Sequence, residues 1–178
     1  MRKNDVNLND LCVWEIILKI MTDIITAYDK FYRSRCDVRN IHGCGVILFD
    51  NYMNNMVIVK QVESKKWGFP KGHLVNTCEQ HFKCAKREMY DETGINLDCV
   101  SYMKYGTIIL NQRLFYILSL KKMIKFHLKP IDKGEISESK WIDINSLISS
   151  IENENEMNKT LRDFIKLMRI KLHGFRVS

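Results

Sequence analysis

The sequence predicts a single mixed α+β domain in which helices pack on β-sheets. Its 178 residues, 46% of them hydrophobic, are enough to bury one sizeable core, and no internal repeat points to a second. Short apolar runs that end in turn residues predict strands, and longer segments with apolar residues at helical spacing predict helices. The order of these segments favours helices packed on sheets.

Most of the first forty residues, from Asn9 to about Arg33, are predicted to form one amphipathic helix. Gly and Pro are absent between residues 9 and 33, and apolar residues recur at helical spacing from Leu11 to Ile25. We therefore expect residues 1–40 to be an N-terminal helical extension of the domain.

Turn residues divide the rest of the chain into five predicted strands and three predicted helices. The strands cover residues 46–49, 56–59, 102–110, 113–120 and 137–142, with Asn111 and Gln112 as the turn of a hairpin. The helices cover residues 79–93, 145–151 and a final segment that ends at Gly174. Gly94 is expected to end the first of these three helices.

Positive charge is concentrated at the C-terminal end of the chain. The net charge is +7, and the segment Met157–Ser178 holds six Lys or Arg residues against one Asp, which is +5 of that total. Within it Arg162, Lys166 and Arg169 follow one face of the predicted helix. Such a ridge can follow a phosphate backbone, although a solvated face of a packed helix has the same pattern. The charge favours a polyanionic partner such as nucleic acid over an acidic membrane surface.

The cysteines and the N-terminal segment predict a cytoplasmic protein with no membrane association. Six cysteines are scattered without a C-x-x-C pair, mostly inside apolar segments, as is typical of reduced core residues. The first ten residues are polar, and Glu15, Lys19 and Asp23 interrupt the apolar segment that follows. A secretion signal or membrane span is therefore not expected.

Three carboxylates on the helix at residues 79–93 predict a metal site. Glu88, Asp91 and Glu92 lie within about a 100° arc of one helix face. Carboxylates this close repel one another unless a cation compensates them, and hard oxygen ligands select Mg²⁺ or Mn²⁺. Such ions can neutralise a pyrophosphate and orient an attacking water. The alternative is an acidic solvent-exposed face, which is what most runs of Asp and Glu are.

The segment from Gly72 to Ile95 resembles the signature of the Nudix hydrolase superfamily, G-x5-E-x7-R-E-U-x-E-E-x-G-U, where U is a bulky aliphatic residue. The signature positions filled in register are Glu79, Arg87, Glu88, Glu92, Gly94 and Ile95. Six residues instead of five separate Gly72 from Glu79, and Asp91 replaces the first Glu of the usual pair. The resemblance implies a Nudix-type α/β/α sandwich with a mixed sheet.

The same resemblance implies roles for individual residues. Glu88, Asp91 and Glu92 would bind the divalent ion with help from the backbone of Gly72, and Glu88 and Glu92 would take part in catalysis. Asp91 is one methylene shorter than the usual Glu, so it can act through a water. The pair formed by Glu79 and Arg87 would hold the signature loop in shape.

Further motifs resemble the catalytic subunit of the mRNA decapping complex. Residues 67–72, Trp-Gly-Phe-Pro-Lys-Gly, match a motif that leads into the signature of that family, and residues 43–48 and 57–60 resemble its first two strands. Residues 135–141 resemble its E-I-S-x-x-x-W. This resemblance implies an enzyme that removes the 5′ cap of mRNA and releases methyl-GDP and 5′-monophosphate RNA. We expect the chain to be a monomer. The resemblance leaves open whether a protein activator is required.

Glu135 is the candidate general base. In the decapping family the Glu of this stretch reaches the metal site and is the favoured base. A carboxylate outside the helix is needed because metal withdraws electrons from its ligands and makes them poor bases. Glu138 is the competing candidate, and a surface carboxylate at a strand start is the alternative interpretation of Glu135.

Basic residues before and after the central helix are candidates for binding phosphate and RNA. Lys71 stands beside the signature glycine, and the decapping family has a basic RNA-binding segment in the place of the final helix. The residues concerned are Lys71, Arg162, Lys166 and Arg169. The resemblance thus implies a Nudix catalytic core at residues 41–151 and a basic C-terminal helix, packed on it, at residues 152–178.

Two other functions remain open from the sequence. Residues 70–73, Pro-Lys-Gly-His, resemble diadenosine tetraphosphate and diphosphoinositol polyphosphate hydrolases more closely than decapping subunits. Such enzymes gain nothing obvious from a basic C-terminal segment. An inactive Nudix module that binds RNA or protein is the second alternative, but it would have no need to retain Glu88, Glu92 and Glu135.

Overall fold

The computed structural model describes residues 41–76, 79–122, 126–149 and 154–176, the last with side chains to Ile170, and four isolated residues. The isolated residues, at positions 19, 22, 23 and 26, are helical. The rest of the predicted N-terminal helix lies outside the described residues. Within the described part of the chain, no helix is long and apolar enough to cross a membrane.

Seven strands and three helices form the described part of the domain. They are β1 (Gly43–Phe49), β2 (Asn55–Gln61), β3 (Trp67–Gly68), β4 (Lys71–His73), α1 (His81–Thr93), β5 (Tyr102–Leu110), β6 (Arg113–Leu120), β7 (Ile136–Asp143), α2 (Ile144–Ser149) and α3 (Lys159–Arg176). A short 3₁₀ turn, Glu154–Glu156, precedes α3. All five predicted strands and the three helices predicted after residue 40 are present. Helix α3 passes through Gly174, where the sequence predicted its end, because a helix can accommodate glycine at a cost of about 1 kcal/mol.

The strands form one mixed sheet with β1 near its centre. The order is β3-β2-β1-β6-β5, with β4 paired to β1 and β7 paired to β2. Strands β1 and β6 are parallel, and the other pairs are antiparallel. Every residue of β1 is buried. This explains why β1 is a continuous apolar run and does not alternate with polar residues.

Helices cover both faces of the sheet. Val46 and Leu48 of β1 face one core cluster with α1, whereas Ile47 and Phe49 face the other with α2 and α3. The predicted α/β/α sandwich is therefore confirmed. Alternate residues of β1 pack into the two core clusters because successive side chains of a strand point to opposite faces of the sheet.

Helix α3 packs its apolar face on the sheet. Leu161, Phe164, Ile165 and Met168 are buried in the core. The ring of Phe164 meets that of Phe69 edge to face, with centroids 5.2 Å apart. This geometry is one of the favoured arrangements of two aromatic rings.

The hairpin between β5 and β6 ends in the predicted two-residue turn. Asn111 and Gln112 have φ angles of 49° and 61°, as both central residues of a type I′ turn require. The Asn111 side chain donates to Thr160 Oγ1 at 3.1 Å and accepts from Lys159 Nζ at 2.9 Å. The turn is therefore tied to the first residues of α3.

Candidate active site

The signature loop is built on a close approach of β4 to α1. Gly72 of β4 pairs with Cys44 of β1, and a Cβ at Gly72 would lie 2.1 Å from the carboxylate of Glu88. A side chain at this position would collide with Glu88. Glycine therefore lets the backbone of β4 lie directly against a carboxylate of α1.

Glu79 and Arg87 connect the segment before α1 to the helix itself. Their side chains approach at 3.3 Å through two pairs of atoms. Glu79 also accepts from the backbone N–H of Val75 at 2.8 Å, and Arg87 donates to the carbonyl of His73 at 3.0 Å. The hydrogen bond from Arg87 lowers the pKa of Glu79. This is the arrangement expected of a pair that holds the loop in shape.

Five carboxylates line one cavity of about 290 Å³. Gly72 and Arg87 also border this space, which we call the acidic cavity. Its carboxylates are Glu88, Asp91, Glu92, Asp132 and Glu135. The four acidic residues predicted from the sequence therefore meet at one cavity, and Asp132 is the member that the sequence analysis missed.

Two of these carboxylates are buried, and burial disfavours their ionised forms. Glu88 is 7% and Glu92 2% exposed. Burial raises the pKa of Glu92 to about 8; the charge of Lys71 and a hydrogen bond from its backbone N–H oppose the rise. Burial also raises the pKa of Glu88, against the effect of Arg87. Both carboxylates thus lack enough positive charge to favour their ionised forms.

The donor set fits a hard divalent cation, although it is not assembled around one point. Within the described residues, no group of three or more His, Cys, Asp or Glu side chains is placed to hold a metal ion as it stands. Glu88 is paired with Arg87 Nη1 at 2.5 Å, and Glu92 accepts from the backbone N–H of Lys71 at 3.0 Å. Each of these two contacts engages one oxygen of the carboxylate. The available donors are carboxylate oxygens, the ligands that Mg²⁺ and Mn²⁺ prefer.

The turn that precedes β7 is fastened to the C-terminal end of α1. The backbone N–H groups of Ile131 and Asp132 donate to the carbonyl of Asp91 at 2.8 and 2.9 Å. Asp132 in turn accepts from the backbone N–H groups of Gly134 and Glu135. This role was not predicted from the sequence. Asp132 therefore fixes the turn that brings Glu135 to the acidic cavity.

The structure separates the two candidates for the general base. Glu135 borders the acidic cavity, whereas Glu138 is exposed and does not border it. Glu138 lies on β7 opposite Lys60 of β2. Glu135 is thus the better placed of the two for proton transfer.

A second cavity, of about 320 Å³, adjoins the first. We call it the basic cavity, because Lys71, His73 and Arg113 line it together with Glu63 and Glu135. Burial lowers the pKa of Lys71; the charge of Glu92 opposes this effect and that of Arg113 adds to it. Lys71 was predicted to bind phosphate. Arg113 was not recognised, because a single Arg after a hairpin turn carries no sequence signal.

Two of the three predicted RNA-binding residues of α3 have intramolecular partners. Arg162 donates to the carbonyl of Glu154 at 3.3 Å. Arg169 donates to the carbonyl of Ile148 and to the carboxylate of Glu154, both at 2.7 Å. Lys166 is exposed. The two arginines therefore hold α2 and the 3₁₀ turn against α3, a role that the sequence did not predict.

Comparison with known proteins agrees with this geometry. Residues 40–167 match the family model of the NUDIX domain. The chain is 32% identical over 142 residues to the mRNA decapping complex subunit 2 of Schizosaccharomyces pombe, covering 75% of this chain and 18% of that protein. It is 30% identical over 124 residues to a putative mRNA-decapping protein of Acanthamoeba polyphaga mimivirus, covering 63% of this chain and 34% of that protein. The chain thus spans about a fifth to a third of the length of these two relatives.

Solved structures share the fold. A crystal structure of DR0079 from Deinococcus radiodurans aligns with a TM-score of 0.55 at 14% identity, over 71% of this chain and 81% of that one. A NUDIX family hydrolase from Clostridium perfringens aligns with a TM-score of 0.51 at 14% identity, over 74% and 97%. At this identity the likeness concerns the fold alone. The match of residues 40–167, most of the chain, to the family model of the NUDIX domain shows that the chain belongs to the Nudix family.

Proposed function

We propose that the chain is a pyrophosphohydrolase that uses a divalent cation to remove the 5′ cap of mRNA, releasing methyl-GDP and 5′-monophosphate RNA. The observation that carries the reaction type is the convergence of Glu88, Glu92 and Glu135 on one cavity. The choice of substrate is supported by relatives named as mRNA-decapping proteins. The net charge of +7 also suits a polyanionic substrate.

The residues that would hold a Mg²⁺ or Mn²⁺ ion are Glu88, Asp91, Glu92 and the backbone of Gly72. When bound, such an ion would neutralise phosphate charge and orient the attacking water. It would also compensate the two buried carboxylates, whose ionised forms burial disfavours. Asp91 is the least buried of the three carboxylates, which suits a ligand that acts through a water.

Glu135 would accept the proton of the attacking water. Its carboxylate borders the acidic cavity but belongs to the turn before β7 and not to α1. It can therefore reach a water at the cavity without being one of the three ligands on the helix. A base in this position retains the electron density that coordinated carboxylates lose.

The matched pair Glu135→Gln and Glu138→Gln tests this assignment. We expect Glu135→Gln to lose about 10²–10⁴-fold in turnover and to retain Mn²⁺ affinity, measured by calorimetry. Glu138→Gln should behave like the parent protein because its side chain borders neither cavity. Turnover is measured as methyl-GDP released from cap-labelled RNA. Full activity in Glu135→Gln, with loss in Glu138→Gln, would reverse the assignment.

A substrate panel tests the choice of capped RNA. The protein is incubated with cap-labelled long RNA, free cap dinucleotide and diadenosine tetraphosphate in Mg²⁺ or Mn²⁺, and the products are identified. We expect methyl-GDP from long RNA, with a rate that falls steeply as salt increases. Equal or faster turnover of the dinucleotides would instead favour a dinucleoside polyphosphate hydrolase, and no turnover of any substrate would favour a binding module.

We also propose that the exposed side of α3 contributes to RNA binding. Lys166 is the residue to substitute in a test of RNA binding, because Arg162 and Arg169 have structural contacts that a substitution would also break. We expect Lys166→Glu to weaken long-RNA binding and to leave turnover of the cap dinucleotide unchanged. Lys83→Glu on α1 is the matched control, since α1 lies on the opposite face of the sheet. Unchanged affinity of Lys166→Glu for long RNA would contradict this contribution.

A further inference from the structure

We propose that the basic cavity is a polyphosphate-binding subsite in which Arg113 and Lys71 hold the substrate phosphates next to the bond that is cleaved. This inference rests on the pyrophosphohydrolase function proposed above and assigns a binding role to Arg113. The ligand class is a linear chain of phosphates carrying a nucleoside.

The two adjoining cavities differ in charge. The acidic cavity is lined by five carboxylates and one guanidinium, whereas Lys71, Arg113 and His73 line the basic cavity against two carboxylates. Gly72, His73 and Glu135 border both. A phosphate that reacts beside Glu135 therefore has its neighbouring phosphates within reach of the basic side chains.

Arg113 is held at the wall of the basic cavity by the parallel pairing of β1 with β6. It is the first residue of β6 and lies opposite Gly43 of β1. Its Nη2 lies 3.3 Å from Nε2 of His73. Its Nε is buried and has no hydrogen-bond partner among the described residues. Arg113 as a whole is partly exposed, and a shift of its side chain would let this unpaired donor bind a ligand oxygen.

Arg113 and Lys71 place two positive charges at one cavity without direct ion pairs. Within the described part of the chain, no carboxylate oxygen lies within 4.0 Å of the side-chain nitrogens of Lys71 or Arg113. Like charges at one cavity repel each other. An anion between them would relieve this repulsion, and a guanidinium can bind a phosphate through two parallel hydrogen bonds. The volume of about 320 Å³ lies at the lower end of the range for small-molecule sites.

Tripolyphosphate is the probe that isolates this subsite from catalysis. Its dissociation constant is measured by calorimetry in EDTA, so that neither turnover nor metal bound to the probe contributes. We expect Arg113→Ala to weaken binding about ten- to a hundred-fold and Arg113→Lys to recover only part of the loss, because an ammonium is a single point charge. Lys121→Ala, just beyond the far end of β6, should bind tripolyphosphate like the parent.

A second readout separates binding from a merely structural role. With free cap dinucleotide as substrate, Arg113→Ala should raise KM more than it lowers kcat, whereas a general loss of folding would lower the active fraction and hence kcat. If Arg113→Ala does not fold, Arg113→Gln removes the charge with a smaller change in shape. Unchanged tripolyphosphate affinity in a folded Arg113 variant would overturn the subsite.

The outcomes also separate this inference from the proposed function. A parent protein that binds tripolyphosphate through Arg113 but cleaves neither capped RNA nor dinucleotides would retain the subsite and lose the pyrophosphohydrolase function. A parent that cleaves capped RNA with the same KM in Arg113→Ala would retain the function and lose the subsite.

Discussion

Glu92→Gln should reduce the pH dependence of stability of the metal-free protein. The Glu92 carboxyl is 2% exposed, and burial raises its pKa from 4.5 to about 8. Because the folded-state pKa is the higher one, this group favours folding fully only below about pH 4.5. That contribution is lost as the pH rises through about 8. A rise of this size corresponds to at most about 5 kcal/mol.

The measurement is urea unfolding in EDTA at several pH values between 5 and 9. We expect the free energy of unfolding of the parent to fall across this range, by up to about 1.4 kcal/mol per pH unit. In Glu92→Gln the fall should be smaller, since the amide oxygen can still accept from the backbone N–H of Lys71 without ionising, and the fall that remains is due in part to Glu88, whose pKa burial also raises. Glu138→Gln, at an exposed position, should follow the parent.

Two results test whether burial of the Glu92 carboxyl controls the pH dependence of stability. Saturating Mn²⁺ should restore stability at high pH in the parent and not in Glu92→Gln, because metal binding favours the ionised carboxylate. Parallel curves for the parent and Glu92→Gln in EDTA would refute the claim that burial of this carboxyl controls the pH dependence.

Three further substitutions test the packing around the site. Gly72→Ala places a Cβ 2.1 Å from the Glu88 carboxylate, so we expect at least about a tenfold loss of Mn²⁺ affinity, measured by calorimetry; unchanged affinity would contradict the close approach. Gly94→Ala should cost about 1 kcal/mol in urea unfolding, because φ is 78° and Lys129 O would lie 2.9 Å from the new Cβ. Phe164→Ala should cost about 3–5 kcal/mol in the same assay, and a loss below about 1 kcal/mol would indicate that α3 is not anchored there.

The regular elements could be predicted because their cause is local. The hairpin at Asn111 and the end of α1 at Gly94 follow from backbone conformations that a few residues decide. Strands β3 and β4 could not be predicted, since two and three residues carry no periodicity. They exist because Trp67–Gly68 pairs with β2 and Lys71–His73 with β1, and sequence spacing does not reveal such long-range pairing.

The site residues likewise divide into those that local sequence predicts and those that long-range pairing brings together. Glu88, Asp91 and Glu92 were predictable because one helix presents them together. Asp132 is brought to them by hydrogen bonds to the end of α1, and Arg113 by the parallel pairing of β1 with β6. Both belong to segments far along the chain from the signature. The motif therefore identified the candidate metal ligands, whereas Asp132 and Arg113 became apparent only from the fold.

The excess positive charge indicates the sign of the partner but not its location. Helical spacing placed Arg162 and Arg169 on one face, yet Glu154 of the adjoining 3₁₀ turn binds both of them. A cation that already has a partner must give up that interaction before it can bind a phosphate, and the net gain is then small. Lys71 and Arg113 have no ion-pair partner in the described part of the chain. The strongest phosphate contacts of this chain should therefore lie at the basic cavity, with α3 adding a weaker and more salt-dependent contribution.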